Sequence, residues 1–406
     1  MSVKLELLAP AGNMECLKTA FYFGADAVYL SGKAYGLRAF ADNFTIEDLN
    51  TATKIAKNSG KKTYLTSNSV FHNDDFNGFE DYLKAVDDAG VDAIIISDPG
   101  VLMKTREVLP DMPIHLSTQA NTTNHMSVKF WEKIGVQRVI LAREASLDDI
   151  KGIKDAVPNM ELEAFVHGAM CISYSGRCLF SNFTTGRGGN QGACAQPCRW
   201  EYTIQEKKGG EVFPVYADER GTYLFNSKDL MMIEHVDKLI KAGITSFKIE
   251  GRMKSAYYVA SVVKPYRKEI DKCIENLEGY VFDKEILKEM EKAGTREYTI
   301  GFFLGNPLGE GQDTERKSEA KSSTFVGKVL ETIDGRIKVE QRNKFVVGET
   351  LEVLSPNIDN TSFEVTKIVN EKGDKQEGAP HPQQIIYLDC PVKLLNGDML
   401  RRNRVD

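Results

Sequence analysis

The sequence predicts a parallel (β/α)8 TIM-like barrel with a cysteine-bearing insertion, followed by a small antiparallel β-barrel domain. Three observations carry this. Between residues 5 and 250, eight short apolar runs alternate with longer amphipathic stretches. The alternation breaks once, over residues 171–226, where four of the seven cysteines gather. Beyond residue 305 the helix-length spacing disappears, and short alternating runs separated by turn signals take over.

The eight runs are Leu5–Ala9, Ala27–Leu30, Lys62–Thr66, Ala93–Ser97, Ile114–Ser117, Arg138–Ala142, Leu162–Val166 and Ser246–Glu250. Most are rich in Val, Ile, Leu and Tyr and short enough for strands covered on both faces. Helical patterns lie between them, as in Asn13–Phe23, Phe79–Ala89 and Met126–Ile134. Gly24, Gly90 and Gly135 follow the ends of these helices, where the left-handed conformation stops a helix. Strands alternating with helices close into a barrel. The barrel domain is therefore expected over 1–304, with the insertion at 171–226. Residues 305–323 are turn-rich, then charged, and read as a linker. The last domain spans 324–406. Its runs are Phe325–Leu330, Ile337–Val339, Thr350–Leu354, Phe363–Ile368 and Gln384–Leu388, with turn signals at Asp334-Gly335 and Asn396-Gly397-Asp398.

With 406 residues the chain exceeds one ordinary domain, and 42% hydrophobic content supplies a core. A net charge of −6 argues against bulk binding of a polyanion but leaves room for a local basic patch. The first residues lack the pattern of a secretory signal, and no apolar run approaches the ~18 residues that span a bilayer. A soluble, cytoplasmic protein is expected.

The clustered cysteines are Cys171, Cys178, Cys194 and Cys198, spaced Cys-x6-Cys-x15-Cys-x3-Cys. A disulfide framework does not suit a reducing compartment. Four thiolates close a tetrahedral zinc site or hold an iron–sulfur cluster. Structural zinc uses two tight knuckles, and here one pair is wide, which favours the cluster while leaving zinc open. Cys16, Cys273 and Cys390 stand alone and read as small buried hydrophobes. The loop Gly186–Gly192 reads as wrapping around the cysteine site rather than as a phosphate loop.

In a (β/α)8 barrel, chemistry sits at the C-terminal ends of the strands. The polar residues expected there are Asn13, Ser67, Asn68, Gln119, Asn121, Arg143, Glu144, His167, the stretch Asn226-Ser227-Lys228-Asp229, and Glu250, Arg252 and Lys254. Arg143, Arg177, Arg199, Lys228, Arg252 and Lys254 are candidates to clamp an anionic small molecule or phosphates. Gln119 and Asn121 join them as candidate substrate-binding residues. His167, Glu250 and Arg252 are the catalytic candidates; for His167 a hydrogen-bonded supporting role is the alternative.

The segment Glu163-x-Phe165-x-x-Gly168-Ala169-Met170-Cys171-x4-Gly176-x-Cys178-x-x-Ser181 resembles the signature of the collagenase-like peptidases of unassigned catalytic type (peptidase family U, number thirty-two). Glu6–Gly12, Gly24–Tyr29, His115–Asn121, Cys198–Tyr202, Asn226–Leu230, Lys248–Arg252 and Asn343-Lys344-Phe345 resemble one branch, the prephenate-dependent tRNA uridine hydroxylases. Phe180, where an aliphatic residue is expected, is the one departure. The resemblance implies oxygenation of the wobble uridine at its 5-position, a 4Fe–4S cluster on the four clustered cysteines, and prephenate as co-substrate. A small dicarboxylate and tRNA are the expected partners.

Two other readings stand beside this one. A peptidase needs a nucleophile with its base or a metal-activated water, and neither His-Glu-x-x-His nor Gly-x-Ser-x-Gly occurs. The other is a cluster- or zinc-stabilised scaffold acting with a partner. The last domain, ending Arg401-Arg402-Asn403-Arg404, is a candidate for holding tRNA; its alternatives are to stabilise the barrel or to mediate oligomerisation.

Overall fold

The structure, a computed structural model, describes residues 4–37, 42–171, 173–174, 177–200, 217–218, 221–222, 227–294, 296–305, 307, 323–359 and 361–403. Eight strands form the barrel: β1 (Glu6–Pro10), β2 (Ala27–Ser31), β3 (Lys62–Ser67), β4 (Ala93–Ile96), β5 (Ile114–Leu116), β6 (Arg138–Ile140), β7 (Glu161–Ala169) and β8 (Ser246–Ile249). Each pairs in parallel with the next, and β8 pairs with both β7 and β1, which closes the ring. All eight expected runs are strands.

The connecting helices are α1 (Met14–Tyr22), α2 (Ile46–Asn58), α3 (Phe79–Ala89), α4 (Pro99–Val108), α5 (His125–Lys133) and α6 (Leu147–Ala156). The inserted segment carries α7 (Phe180–Thr185); α8 (Val236–Ala242), α9 (Ala256–Glu275) and α10 (Glu285–Ala293) complete the first domain. Capping boxes at Thr45 with Asp48 and at Ser146 with Asp149 satisfy the first turns of α2 and α6. Gly24, Gly90 and Gly135 take φ of +108°, +75° and +83°, as helix termination there requires. No helix among the described residues is long and apolar enough to cross a membrane.

Beside the barrel, a further strand was not anticipated. Asp229–Met231, read as part of a polar strand end, is a short strand antiparallel to the end of β7. Asn226, expected beside it, lies outside the described residues, as do most of the linker, residues 201–216 and Arg404.

The second domain is an antiparallel sheet around a single core that includes Val326, Val339, Phe345, Ile386 and Leu400. Its main strands are β9 (Ser323–Ile333), β10 (Arg336–Gln341), β11 (Thr350–Leu354), β12 (Ser362–Glu364), β13 (Ile368–Asn370), β14 (Ile385–Asp389) and β15 (Met399–Asn403). Asp334 and Gly335, both at positive φ, make the tight turn between β9 and β10. The expected run Phe363–Ile368 is two strands, β12 and β13. β15, which the sequence reading missed, sits between β11 and β9.

Its position takes Arg401 out of the set of residues available to hold tRNA. Arg401 is 1% exposed and pairs with Glu352 on β11 and, at 2.5 Å, with Glu289 on α10. Lys292 of α10 reaches Glu352 at 3.0 Å, and Arg402 reaches Glu349 at 2.8 Å. Tyr257 of α9 stacks on Phe325 at 5.4 Å. These side chains tie the sheet to the barrel.

Inside the barrel, β1, β6, β7 and β8 turn charged side chains to one another. Arg138 Nη1 donates to Glu6 at 2.5 Å and to Glu163 at 3.1 Å. Lys248 Nζ meets Glu163 at 2.8 Å. Ser246 Oγ donates to Glu6 and Glu163, and Tyr64 OH donates to Glu6 at 2.6 Å. Burial works against charge on Glu6, but Arg138 outweighs it and holds the carboxyl below its ordinary value. His115 is kept neutral by burial, with nearby Arg138 adding to the effect.

Two predictions follow from these pairs. Arg138→Met leaves Glu6 and Glu163 buried against Lys248 alone; urea unfolding is expected to show a loss of about 3–5 kcal/mol, part of it restored by adding Glu6→Gln. A loss below about 1 kcal/mol would contradict the role given to Arg138. Glu352 is disfavoured by burial, yet Arg401, Asn403 and Lys292 lower its pKa from 4.5 to about 2. Its stabilisation is complete above pH 4.5 and is lost as pH falls toward 2. Glu352→Gln should therefore flatten that stretch of the stability–pH curve by about 3 kcal/mol; parallel curves would refute it.

Candidate active site at the barrel mouth

A cavity of about 130 Å³ opens at the C-terminal ends of the strands. Its floor is the upper end of the charged column. Along β8, Ser246, Lys248 and then Glu250 alternate inward, while Phe247 and Ile249 are fully buried. Lys248 Nζ lies 4.4 Å from the Tyr29 ring centroid and 5.4 Å from that of Phe165. Burial pulls its pKa below the ordinary lysine value, and Glu163 opposes that pull.

The wall carries two arginines. Arg143, after β6, lies over the Phe165 ring at 4.0 Å and reaches Glu250 at 3.5 Å. Arg252, after β8, donates to Thr66 Oγ1 at 3.1 Å. Its loop crosses β1 so closely that a Cβ on Gly12 would fall 2.0 Å from the Arg252 carbonyl oxygen. Gly168, at φ +102°, gives the same clearance beneath Glu250. Glu250 is held by its own backbone: its N–H donates to the His167 carbonyl at 2.8 Å, and its carbonyl accepts from Tyr258 OH at 2.9 Å.

The opposite wall is polar and neutral. Asn68 Nδ2 donates to Ser117 Oγ at 3.2 Å. Gln119 lines the cavity, and its buried Oε1 has no hydrogen-bond partner. An orphaned acceptor in a cavity wall is a binding feature, because leaving it unpaired costs about 1–3 kcal/mol.

The inserted segment roofs this space. Cys171, Cys178 and Cys194 line the cavity together with Ser173, Tyr174, Ser181, Gly189 and Asn190. Ser181 Oγ accepts from Ala195 N–H at 3.0 Å, and the Asn190 carbonyl accepts from Val70 N–H at 3.1 Å, which fastens the roof to the loop after β3. Cys198 stands on the turn Pro197–Arg199, packed against α7. Among the described residues no three His, Cys, Asp or Glu side chains come within reach of one metal ion. The donor set, four half-exposed or exposed thiols beside a charged cavity, fits a cluster in kind.

Of the residues singled out from sequence, Cys171, Cys178, Cys194, Asn68, Gln119, Arg143, Glu250 and Arg252 meet at this cavity. The remaining candidate site residues stand apart. His167 is enclosed by the rings of Tyr258, Tyr266 and Tyr298 at 5.4–6.1 Å, behind the barrel wall. A register jump between β7 and β8 sets Phe165 opposite Lys248 but His167 opposite Ile249, turning His167 away from the mouth. Burial, with Lys254 nearby, lowers its pKa to about 3, so it is neutral at any physiological pH. Asn121 is at positive φ and bonds the Gln119 carbonyl through Nδ2 at 2.9 Å. Lys228 pairs with Glu297 at 2.9 Å, and Lys254 lies over the Tyr258 ring at 5.3 Å. Arg177 is exposed on the roof, and Arg199 belongs to the Cys198 turn. Sequence reasoning missed Lys248, Tyr29 and Phe165. The available signal was a lysine at an inward position of a barrel strand, two residues before Glu250.

Comparison with known proteins bears on what this cavity does. A model of peptidase family U32 matches residues 12–313, and one of the peptidase family U32 C-terminal domain matches residues 321–401. The chain is 43% identical over 403 residues to tRNA hydroxylation protein P1 of Bacillus subtilis, covering 99% of this chain and 95% of that protein. It is 40% identical over 443 residues to tRNA hydroxylation protein P of Escherichia coli, covering 98% and 97%. A collagenase of Porphyromonas gingivalis is 32% identical over 338 residues, covering 80% and 79%. By matches that span both of its domains, the chain belongs to peptidase family U32.

Proposed function

We propose that this chain is a tRNA-hydroxylating enzyme that oxygenates the wobble uridine at its 5-position, with a 4Fe–4S cluster and prephenate as co-substrate. The observation that carries the reading is the meeting, in one cavity, of three clustered cysteines with Lys248, Arg143 and Arg252. The near full-length likeness to tRNA hydroxylation proteins supports the substrate class. A cytoplasmic location follows from a tRNA substrate.

Cys171, Cys178, Cys194 and Cys198 would hold the cluster, which supplies one-electron chemistry when bound. The chain's own residues do the rest. Arg138, Lys248, Arg143 and Arg252 stand against Glu6, Glu163 and Glu250, so the column and cavity together carry one excess positive charge, which suits an anionic ligand. Arg143 and Arg252 present planar forks, and Lys248 presents a compact charge from the floor. A uracil ring must leave its stack to enter. The Gln119 side-chain amide, in the cavity wall, is the group available to read the edge of the ring. Glu250 is the group placed to hold or move a proton, with Arg143 at 3.5 Å to stabilise its charge. The roof over the cysteines keeps bulk water from the floor.

The peptidase reading finds no comparable support. No histidine lines the cavity, and His167 is walled off from its serines and threonines. Collagenase activity belongs to the name of one relative.

Protein purified without oxygen is expected to carry iron and sulfide and to absorb in the visible range. A colourless, iron-free protein that retains activity would overturn the cluster assignment. Mass spectrometry of tRNA nucleosides should show that 5-oxygenated uridine disappears when the gene is deleted in a strain with no second copy. Arg252→Ala should weaken binding of the dicarboxylate about 10- to 100-fold, as loss of one charged hydrogen-bonding fork implies, while tRNA affinity changes less than about twofold.

A further inference from the structure

The roof of the cavity has an outer face that the reaction does not use. Over the 30 residues Cys171–Trp200 there are three arginines, Arg177, Arg187 and Arg199, and no Asp, Glu or Lys. The chain as a whole carries −6. The same stretch exposes large apolar side chains: Phe183 is 85% exposed, Leu179 71%, Tyr174 50% and Trp200 44%. One exposed aromatic ring needs no explanation, but several on one basic, acid-free segment at the lip of a cavity do.

The geometry of α7 separates the two faces. Ser181 is buried, lines the cavity and accepts from Ala195 N–H. Phe183 stands two residues farther on, about 200° round the helix, and so points away from the cavity. The Phe183 N–H donates to the Leu179 carbonyl at 2.9 Å, which stacks Leu179 and Phe183 on the same outer side. Arg177 is exposed next to them. Tyr174 bridges the faces: it lines the cavity and is half exposed.

We propose that this outer face is a stacking platform for single-stranded RNA, on which Phe183 holds a base flanking the one that enters the cavity. The inference rests on the tRNA reading above and specifies which surface does the gripping. Its physical basis is the cost of extraction. A base that leaves its stack strips its neighbours of one stacking face each, and aromatic side chains beside the entrance restore that contact. Stacking on a ring is tolerant of base identity and is strong enough to matter for affinity. Arg177, exposed two residues before Leu179, supplies a phosphate contact. The near full-length likeness to tRNA hydroxylation proteins favours RNA over a protein as the occupant.

The test uses the full-length protein, an unmodified tRNA transcript, and a stem-loop RNA carrying 2-aminopurine beside the target uridine. Phe183→Ala should weaken tRNA binding about tenfold and reduce the 2-aminopurine quenching seen with wild type. Phe183→Tyr should restore both. Phe183→Leu, equally apolar but without a ring, should not. Iron content, melting temperature and the thermal shift produced by the dicarboxylate should match wild type in all three variants, which separates lost stacking from misfolding. Arg177→Ala should lower the slope of log affinity against log salt by about 0.7. Wild-type affinity in Phe183→Ala, or in Phe183→Leu, would overturn the platform, the latter by showing that apolar packing of the kind a protein partner uses suffices. If wild type itself binds no tRNA, the functional reading fails and the platform with it. If wild type binds tRNA and the variants do not differ, the platform alone fails.

Discussion

The barrel is organised by a buried ionic column that joins Glu6, Arg138, Glu163 and Lys248 from four strands. Barrel interiors are ordinarily filled by Val, Ile and Leu. Here two carboxylates and two cations occupy the axis instead, with Glu163 fully buried and Arg138 5% exposed. Such groups persist in a low-dielectric interior only when every charge is matched and the remaining hydrogen-bonding positions are filled. Ser246 and Tyr64 complete that set from β8 and β3. Because the partners come from β1, β3, β6, β7 and β8, the column fixes those strands in one register around the axis. A slip of one residue on any of them would turn a charge out and leave its partner buried alone.

The column also determines what the mouth is made of. Its last cation, Lys248, is both the partner of Glu163 and the floor of the cavity. A ligand above it therefore meets a charge already committed below, held between the Tyr29 and Phe165 rings. Arg143 shares the Phe165 face, so the same ring orients a floor cation and a wall cation. The wall is then closed by backbone approach rather than by bulk: Gly12 and Gly168 are the two places where a side chain would collide with the Arg252 and Glu250 loop. Rigidity in the column and close contact at two glycines together aim Glu250 and Arg252 at the cavity, a degree of fixity that sites on loops otherwise lack.

The barrel was readable because its strands are covered on both faces and so appear as continuous apolar runs, set off by glycines at helix ends. The four cysteines were readable from spacing, and the arginines and Glu250 from their place just after a strand. The residues that escaped are informative. Lys248 looked like an interruption in an apolar run, because inward and outward positions of a strand can be told apart only once the axis is known. His167 sits two residues past Phe165 and would face the mouth on strict alternation; the register jump against β8 reverses it, and no local residue pattern announces that jump. Arg401 resembled part of a basic tail, yet β15 is a central strand and its charge is spent on Glu352 and Glu289. In each case the deciding fact is a long-range partner, which a chain read in order does not display.

The short range of screened charge explains how an acidic protein presents itself to an RNA. At physiological ionic strength, fields from exposed charges fade over about 8 Å. The net −6 is an average that a phosphate at the barrel mouth does not sense. What it senses is the nearest charges, and the stretch Cys171–Trp200 of the roof carries three arginines before acidic residues resume at Glu201. The acidic residues closest to the reaction, Glu163 and Glu250, are held against Lys248 and Arg143 and so add little repulsion at the entrance. The roof thus does two jobs with one stretch of chain. Its inner face brings thiols to a cationic cavity, and its outer face offers rings and positive charge to whatever must be threaded past them. A substrate that is itself a polyanion carrying a flat, neutral ring is the one that uses both faces at once.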